Sequence, residues 1–177
     1  MIPCLMAIES YLATLTGRAN LPILEELLAS LDFHPEEFRD VALFHDKHYQ
    51  RNHISGSDWY DLFLMCWKPG QSSAIHDHAG SSCALKIVSG TATETGYALS
   101  KPDSPLVIEG AKRRYFSGSL CLAQDGEIHR ISNDSPNENL MTIHIYSPPL
   151  RMNVYEIDPI SVGAIPGTQR EASRHHP

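Results

Sequence analysis

Hydrophobic and polar positions divide this chain into two textures. From about residue 7 to 50 the apolar residues fall at helical spacing. Ile23, Leu24, Leu27, Leu28 and Leu31 form one such stripe, with Pro22 suited to the first turn of its helix. Pro35 followed by Glu36 and Glu37 predicts a second helix start, because acidic side chains favour the positive end of the helix dipole. After Asn52 the pattern changes. Turn signals recur about every ten residues, at Ser55-Gly56-Ser57, Pro69-Gly70, Ala79-Gly80, Ser89-Gly90, Gly118, Asp125-Gly126 and Asn133-Asp134. Between them lie strand-like runs at Tyr60 to Trp67, Cys83 to Val88, Thr91 to Leu99, Leu106 to Glu109, Ser119 to Ala123, Met141 to Tyr146 and Asn153 to Ile157. Many short strands with regular turns predict an antiparallel sandwich or barrel. The expected organisation is one domain over 1–177, with a helical part at 1–50, a β-barrel at 54–160 and a flexible tail at 163–177.

Composition narrows the function. The 177 residues suffice for one sizeable core, and 42% hydrophobic with 20% charged residues is an ordered globular balance. A formal charge of −7 argues against nucleic acid and against anionic lipid as partners. No apolar run is long enough to span a bilayer. The opening MIPCLMAIES lacks a basic segment and carries Glu9, so no signal peptide is expected. Cys4, Cys66, Cys83 and Cys121 form no close pair, which predicts reduced thiols in a cytoplasmic protein, expected to be a monomer.

The ten histidines carry the chemistry. His76 and His78, two apart on a strand, point to one face and can meet a single ion. Five residues separate Gly70 from His76, and Gly90 follows Cys83 after six more. The second stretch, Gly118 to Asn133, delivers His129 just after the Asp125-Gly126 turn. Taken singly, the HxH pair reads as a surface pair and His129 as a surface or capping residue. Asp77, between the two ligands, is expected on the opposite, exposed face.

Both spacings resemble the two cupin motifs. The resemblance implies a mainly β fold, a small jelly-roll-like cupin barrel preceded by N-terminal α-helices. The chain departs from the motifs twice. Gln124 stands where proline is usual, and Cys83 stands where the first motif has a glutamate ligand. Three neutral imidazoles would then face a metal with no carboxylate, which suits a substrate that brings its own anion, such as a thiolate.

Further stretches are similar to the cysteine dioxygenases of the thiol dioxygenase branch: Tyr49-Gln50-Arg51-Asn52, Leu64-Met65-Cys66-Trp67, Ser73 to His78, Cys83-Ala84-Leu85-Lys86, Ile128-His129-Arg130 and His144 to Pro149. The resemblance implies iron, as Fe2+, on His76, His78 and His129. It implies that Arg51 pairs with the substrate carboxylate, as a planar guanidinium can do with two hydrogen bonds. Relatives that prefer 3-mercaptopropionate typically have glutamine there, so Arg51 favours L-cysteine. Tyr146 matches the active-site tyrosine, and His144, with Thr142, the groups behind its hydroxyl. Cys83 matches the cysteine joined to that tyrosine as a thioether in animal-type members. Ser147-Pro148 matches a cis bond, Tyr49 and Trp67 line or support the pocket, and Asn153 marks a pocket wall where animal members have cysteine. The implied activity is oxidation of L-cysteine by O2 to cysteine sulfinic acid. The alternatives are oxidation of 3-mercaptopropionate or cysteamine, a non-catalytic metal-binding cupin, and a zinc or manganese isomerase.

Overall fold

The computed structural model describes residues 2–124 and 126–160 of the chain. The tail predicted to be flexible, 163–177, lies outside the described residues. Two helices come first, α1 (Met6–Leu12) and α2 (Leu21–Ala29). Leu5, Ile8 and Leu12 recur every three or four residues and are fully buried, and so are Leu24 and Leu28 of α2. Asn20 caps α2 by accepting from the Ile23 backbone N–H, and Pro22 sits in its first turn. Ile23, assigned above to the apolar stripe, is 42% exposed. The helix start predicted at Pro35 is a single 3-10 turn, Pro35–Phe38, and residues 39–49 are irregular rather than helical. Val41, Ala42 and Phe44 follow Phe38 near helical spacing, yet they reach the core from irregular backbone.

Ten strands follow: β1 (Gln50–Ser57), β2 (Tyr60–Trp67), β3 (Ile75–His76), β4 (Ser82–Ser89), β5 (Thr91–Leu99), β6 (Leu106–Phe116), β7 (Leu120–Gln124), β8 (Ile128–Ser132), β9 (Leu140–Ser147) and β10 (Val154–Ile157). Five form a sheet in the order β1-β2-β9-β4-β7. The other five, β10-β3-β8-β5-β6, close through a parallel pairing of β10 with β6. Gly90 makes the tight β4–β5 turn. Its φ is +82°, and a Cβ there would lie 2.6 Å from the Asn139 carbonyl oxygen, so only glycine fits.

The first sheet is buried on both faces. Ala84 and Val88 of β4 and Ile143 and Ile145 of β9 pack against the helices. Cys83, Leu85 and Ile87 of β4 and Tyr146 of β9 point the other way, into the barrel. This period-two alternation separates a structural face from a chemical one on the same strands. Lys86 lies on the structural face, 4% exposed, and its ammonium donates to the carbonyls of Leu28 and Leu31 at the end of α2. The last carbonyls of a helix lack partners of their own and favour a cation. Replacing Lys86 by Met removes the charged donor from both carbonyls and is expected to cost about 2 kcal/mol, or roughly 4–8 °C in melting temperature. Thermal denaturation checks this, and activity per folded molecule should stay unchanged because the side chain points away from the barrel interior.

Candidate metal centre and active site

His76 ends β3 and pairs directly with His129 of β8. His78 lies two residues farther on, beyond the end of the strand. The three rings meet inside the barrel, with centroids 5.3 Å (His76–His78), 4.9 Å (His76–His129) and 4.8 Å (His78–His129) apart. One nitrogen from each ring lies within 4.8 Å of the others, and all three residues are buried. The tautomers of two follow from their partners. His76 Nδ1 is 3.0 Å from the Ala74 carbonyl, and His129 Nδ1 is 2.8 Å from Glu94 Oε1. Each partner only accepts, so each Nδ1 carries the proton and each Nε2 keeps its lone pair. His78 is wholly buried, and among the described residues neither of its nitrogens has a hydrogen-bond partner. Burial lowers the pKa of His76 to about 4 and that of His78 to about 3, so both are neutral imidazoles at pH 7. Neutral rings with free lone pairs, one of them otherwise orphaned, fit a divalent transition metal.

Around this cluster lies a small cavity, and Tyr49, Arg51, Cys83 and Tyr146 are among the residues that line it. The Arg51 guanidinium donates to the Tyr49 hydroxyl through Nε (3.2 Å) and Nη2 (2.8 Å). Tyr49 stacks on Trp67 at 4.1 Å, and Trp67 donates from its indole to Thr142 Oγ1 at 3.0 Å. Thr142 Oγ1 is 2.9 Å from His144 Nε2, and His144 Nδ1 is 3.0 Å from the Tyr146 hydroxyl. Burial holds His144 well below the usual histidine range, so it is neutral. Its two nitrogens therefore play opposite roles. With Thr142 donating to Nε2, Nδ1–H donates to Tyr146, and the phenolic proton is left for another acceptor, Cys83 among them. Cys83 and Tyr146 pair directly across β4 and β9, and burial pushes both groups well above their ordinary pKa values.

Several expectations need correction. Asp77 is not an exposed residue on the far strand face. It is 6% exposed and accepts from the Asn153 backbone N–H (3.0 Å), the Asn153 amide (3.0 Å) and the Tyr155 hydroxyl (2.8 Å), pinning β10 to the metal-binding turn. Asn153 thus holds Asp77 and is absent from the cavity lining, so it does not form the expected pocket wall. The expected set of three histidines without a carboxylate ligand stands, but Glu94 supports His129 from behind. No sequence signal singles out Glu94, because a glutamate between Thr93 and Thr95 reads as a solvated position on a half-buried strand. Asn133, the last residue of the second motif, is a scaffold residue; its amide donates to the carbonyls of Trp67 and Glu138. The Ser147-Pro148 bond is cis, as the resemblance implies.

The sequence profile of the family described as "Cysteine dioxygenase type I" matches residues 9–156. The chain belongs to this family. Cysteine dioxygenase type 1 of Bos taurus is 30% identical over 132 residues, covering 73% of this chain and 66% of that protein, so the chain spans just under two thirds of its relative's length. The namesake from Danio rerio is 30% identical over 141 residues, covering 75% of this chain and 67% of the other. Among solved structures, an uncharacterized conserved protein with a double-stranded β-helix domain from Klebsiella pneumoniae superposes with a TM-score of 0.56 at 17% identity, over 67% of this chain and 88% of that one. A protein from Thermus thermophilus gives 0.52 at 16% identity, over 63% and 94%. At such identities these two neighbours speak for the fold alone, and they place the family member described here among mainly β, double-stranded β-helix folds. No helix among its described residues is long and apolar enough to cross a membrane.

Proposed function

We propose that this family member is an iron-dependent thiol dioxygenase converting L-cysteine and O2 to cysteine sulfinic acid. The observation that carries the reading is one small cavity holding three buried histidines, an arginine and a hydrogen-bonded tyrosine together. His76, His78 and His129 would hold Fe(II), which when bound lowers the pKa of a coordinated thiol and supplies the electronic coupling to O2.

The remaining work falls to the chain. Arg51 offers the Nη edge not used by Tyr49 to the substrate carboxylate. Tyr49, stacked on Trp67, fixes that guanidinium. Tyr146, fed by His144 and Thr142, donates its proton to the carboxylate or to developing charge on oxygen. The apolar barrel wall excludes water. Both oxygen atoms end on sulfur, so the balance RSH + O2 → RSO2H closes without a reductant. The direct pairing of Cys83 with Tyr146 also supports a thioether between them, which would appear as the loss of two hydrogens from the intact mass.

Oxygen uptake by the Fe(II)-loaded protein with L-cysteine, 3-mercaptopropionate and cysteamine tests the proposal, with sulfinate detected by mass spectrometry. L-Cysteine is expected to be turned over fastest. Uptake with none of the three, or an active preparation that contains only zinc, overturns it. Fastest turnover of cysteamine removes the role given to Arg51.

A further inference from the structure

The substitution of Cys83 for the usual glutamate ligand leaves three imidazole donors and no carboxylate at the metal. The barrel supplies one from the next layer out. Gly96 pairs directly with His129 across β5 and β8 and presents no side chain. Glu94, two residues earlier on the same face of β5, is the diagonal neighbour and fills that space. Its Oε1 lies 2.8 Å from His129 Nδ1 and accepts from Cys121 Sγ at 3.4 Å, while Oε2 accepts from the Tyr115 hydroxyl at 3.0 Å. Three donors from three strands thus lock one carboxylate, whose side chain is only 14% exposed. The three histidines differ sharply in this respect. His129 is backed by a carboxylate and His76 by a neutral carbonyl, while His78 has no hydrogen-bond partner among the described residues.

We propose that Glu94 is a positioning residue of the metal centre. It fixes the Nδ1–H tautomer and the ring orientation of His129, makes that imidazole the strongest donor of the three, and supplies the negative charge that Cys83 does not. Partners of this kind typically change metal affinity by about 10–100-fold. The inference rests on the three histidines holding a divalent metal, as proposed above.

Metal-free protein titrated with Co(II) against a competing chelator, with the ligand-field absorption recorded, tests it without reference to turnover. Glu94→Ala is expected to weaken Co(II) binding toward 100-fold and to shift the ligand-field bands. Glu94→Gln keeps an acceptor but no charge and is expected to fall between Ala and wild type, near tenfold. Tyr115→Phe removes a partner of Glu94 while leaving the carboxylate, and should bind Co(II) within about threefold of wild type. If Glu94→Ala does not fold, Glu94→Gln decides, since it is isosteric. Equal affinity and spectra for wild type and Glu94→Gln overturn the inference but leave the three-histidine reading intact. So does a Tyr115→Phe loss as large as that of Glu94→Gln, since Glu94 would then act only as part of local packing. A wild type that binds no Co(II), or a His129→Ala variant that binds it as well as wild type, overturns both.

Discussion

Replacing His78 by Leu is expected to abolish turnover while leaving the metal-free protein at least as stable as wild type. The two effects have one cause. His78 is fully buried, and neither ring nitrogen has a hydrogen-bond partner among the described residues. A buried polar group without a hydrogen bond costs about 1–3 kcal/mol. Leucine of similar volume removes that cost and fills the same space. Most core substitutions lose stability, so a gain or a neutral result in the metal-free state marks a residue kept for its ligand rather than for the fold. Metal reverses the order. At a concentration 100 times its dissociation constant, a ligand that binds only the folded state adds about 2.7 kcal/mol. For a chain of this size that is a rise of about 5–10 °C in melting temperature. Wild type should show the rise, and the His78→Leu variant should show little of it. Paired melts with and without Fe(II) under anaerobic conditions give the answer. A wild type indifferent to metal, or a variant that retains the full shift and turnover, would remove His78 from the metal site.

The histidines were legible because their meaning lies in spacing, and strand geometry converts spacing into direction. The alternation along Tyr60–Trp67 and Met141–Tyr146 was equally legible, since each face of those strands meets a different layer. Strands that contribute little apolar surface were not. The Gln50–Ser57 strand begins with Gln50, Arg51, Asn52 and His53, and carries Ser55-Gly56-Ser57, which reads as a turn. The chain in fact turns after Ser57, and a register shift between His53 and Ser55 absorbs the irregularity. The Ile75–His76 strand has only two residues and exists because β8 and β10 flank it. The Leu106–Phe116 strand runs well past Glu109 through Lys112, Arg113 and Arg114, whose side chains are exposed and give no hydrophobic signal. Asp77 and Glu94 mislead for the same reason. A carboxylate is read as solvated unless its partners are known, and those partners, Asn153 with Tyr155 and His129 with Tyr115, are far away in sequence. Partners set the burial of a charge, and a single sequence does not display them.

Under the proposed function substrate choice rests on Arg51, and its removal should split the thiols by chemistry. The guanidinium is held on one edge by Tyr49, which is itself clamped against Trp67, so the opposite edge is presented with little freedom left to lose. A hydrogen-bonded contact between charged groups at an exposed guanidinium is worth about 1.5–3 kcal/mol. Arg51→Ala is therefore expected to lower kcat/KM for L-cysteine by about 10–10²-fold, at 1.36 kcal/mol per factor of ten. Much of the loss should appear in KM, because the carboxylate is bound before and during the reaction alike. 3-Mercaptopropionate carries the same carboxylate and should suffer a similar loss. Cysteamine has none, so its turnover, however slow, should change by less than about threefold. The comparison within one variant separates recognition from collapse of the site. Loss of all three thiols together would mean that Arg51 holds Tyr49 and the pocket wall rather than the substrate. Unchanged turnover of L-cysteine would remove the carboxylate contact from the substrate reading, and leave the cavity's three histidines and Tyr146 without the residue that makes them selective for a thiol bearing a carboxylate.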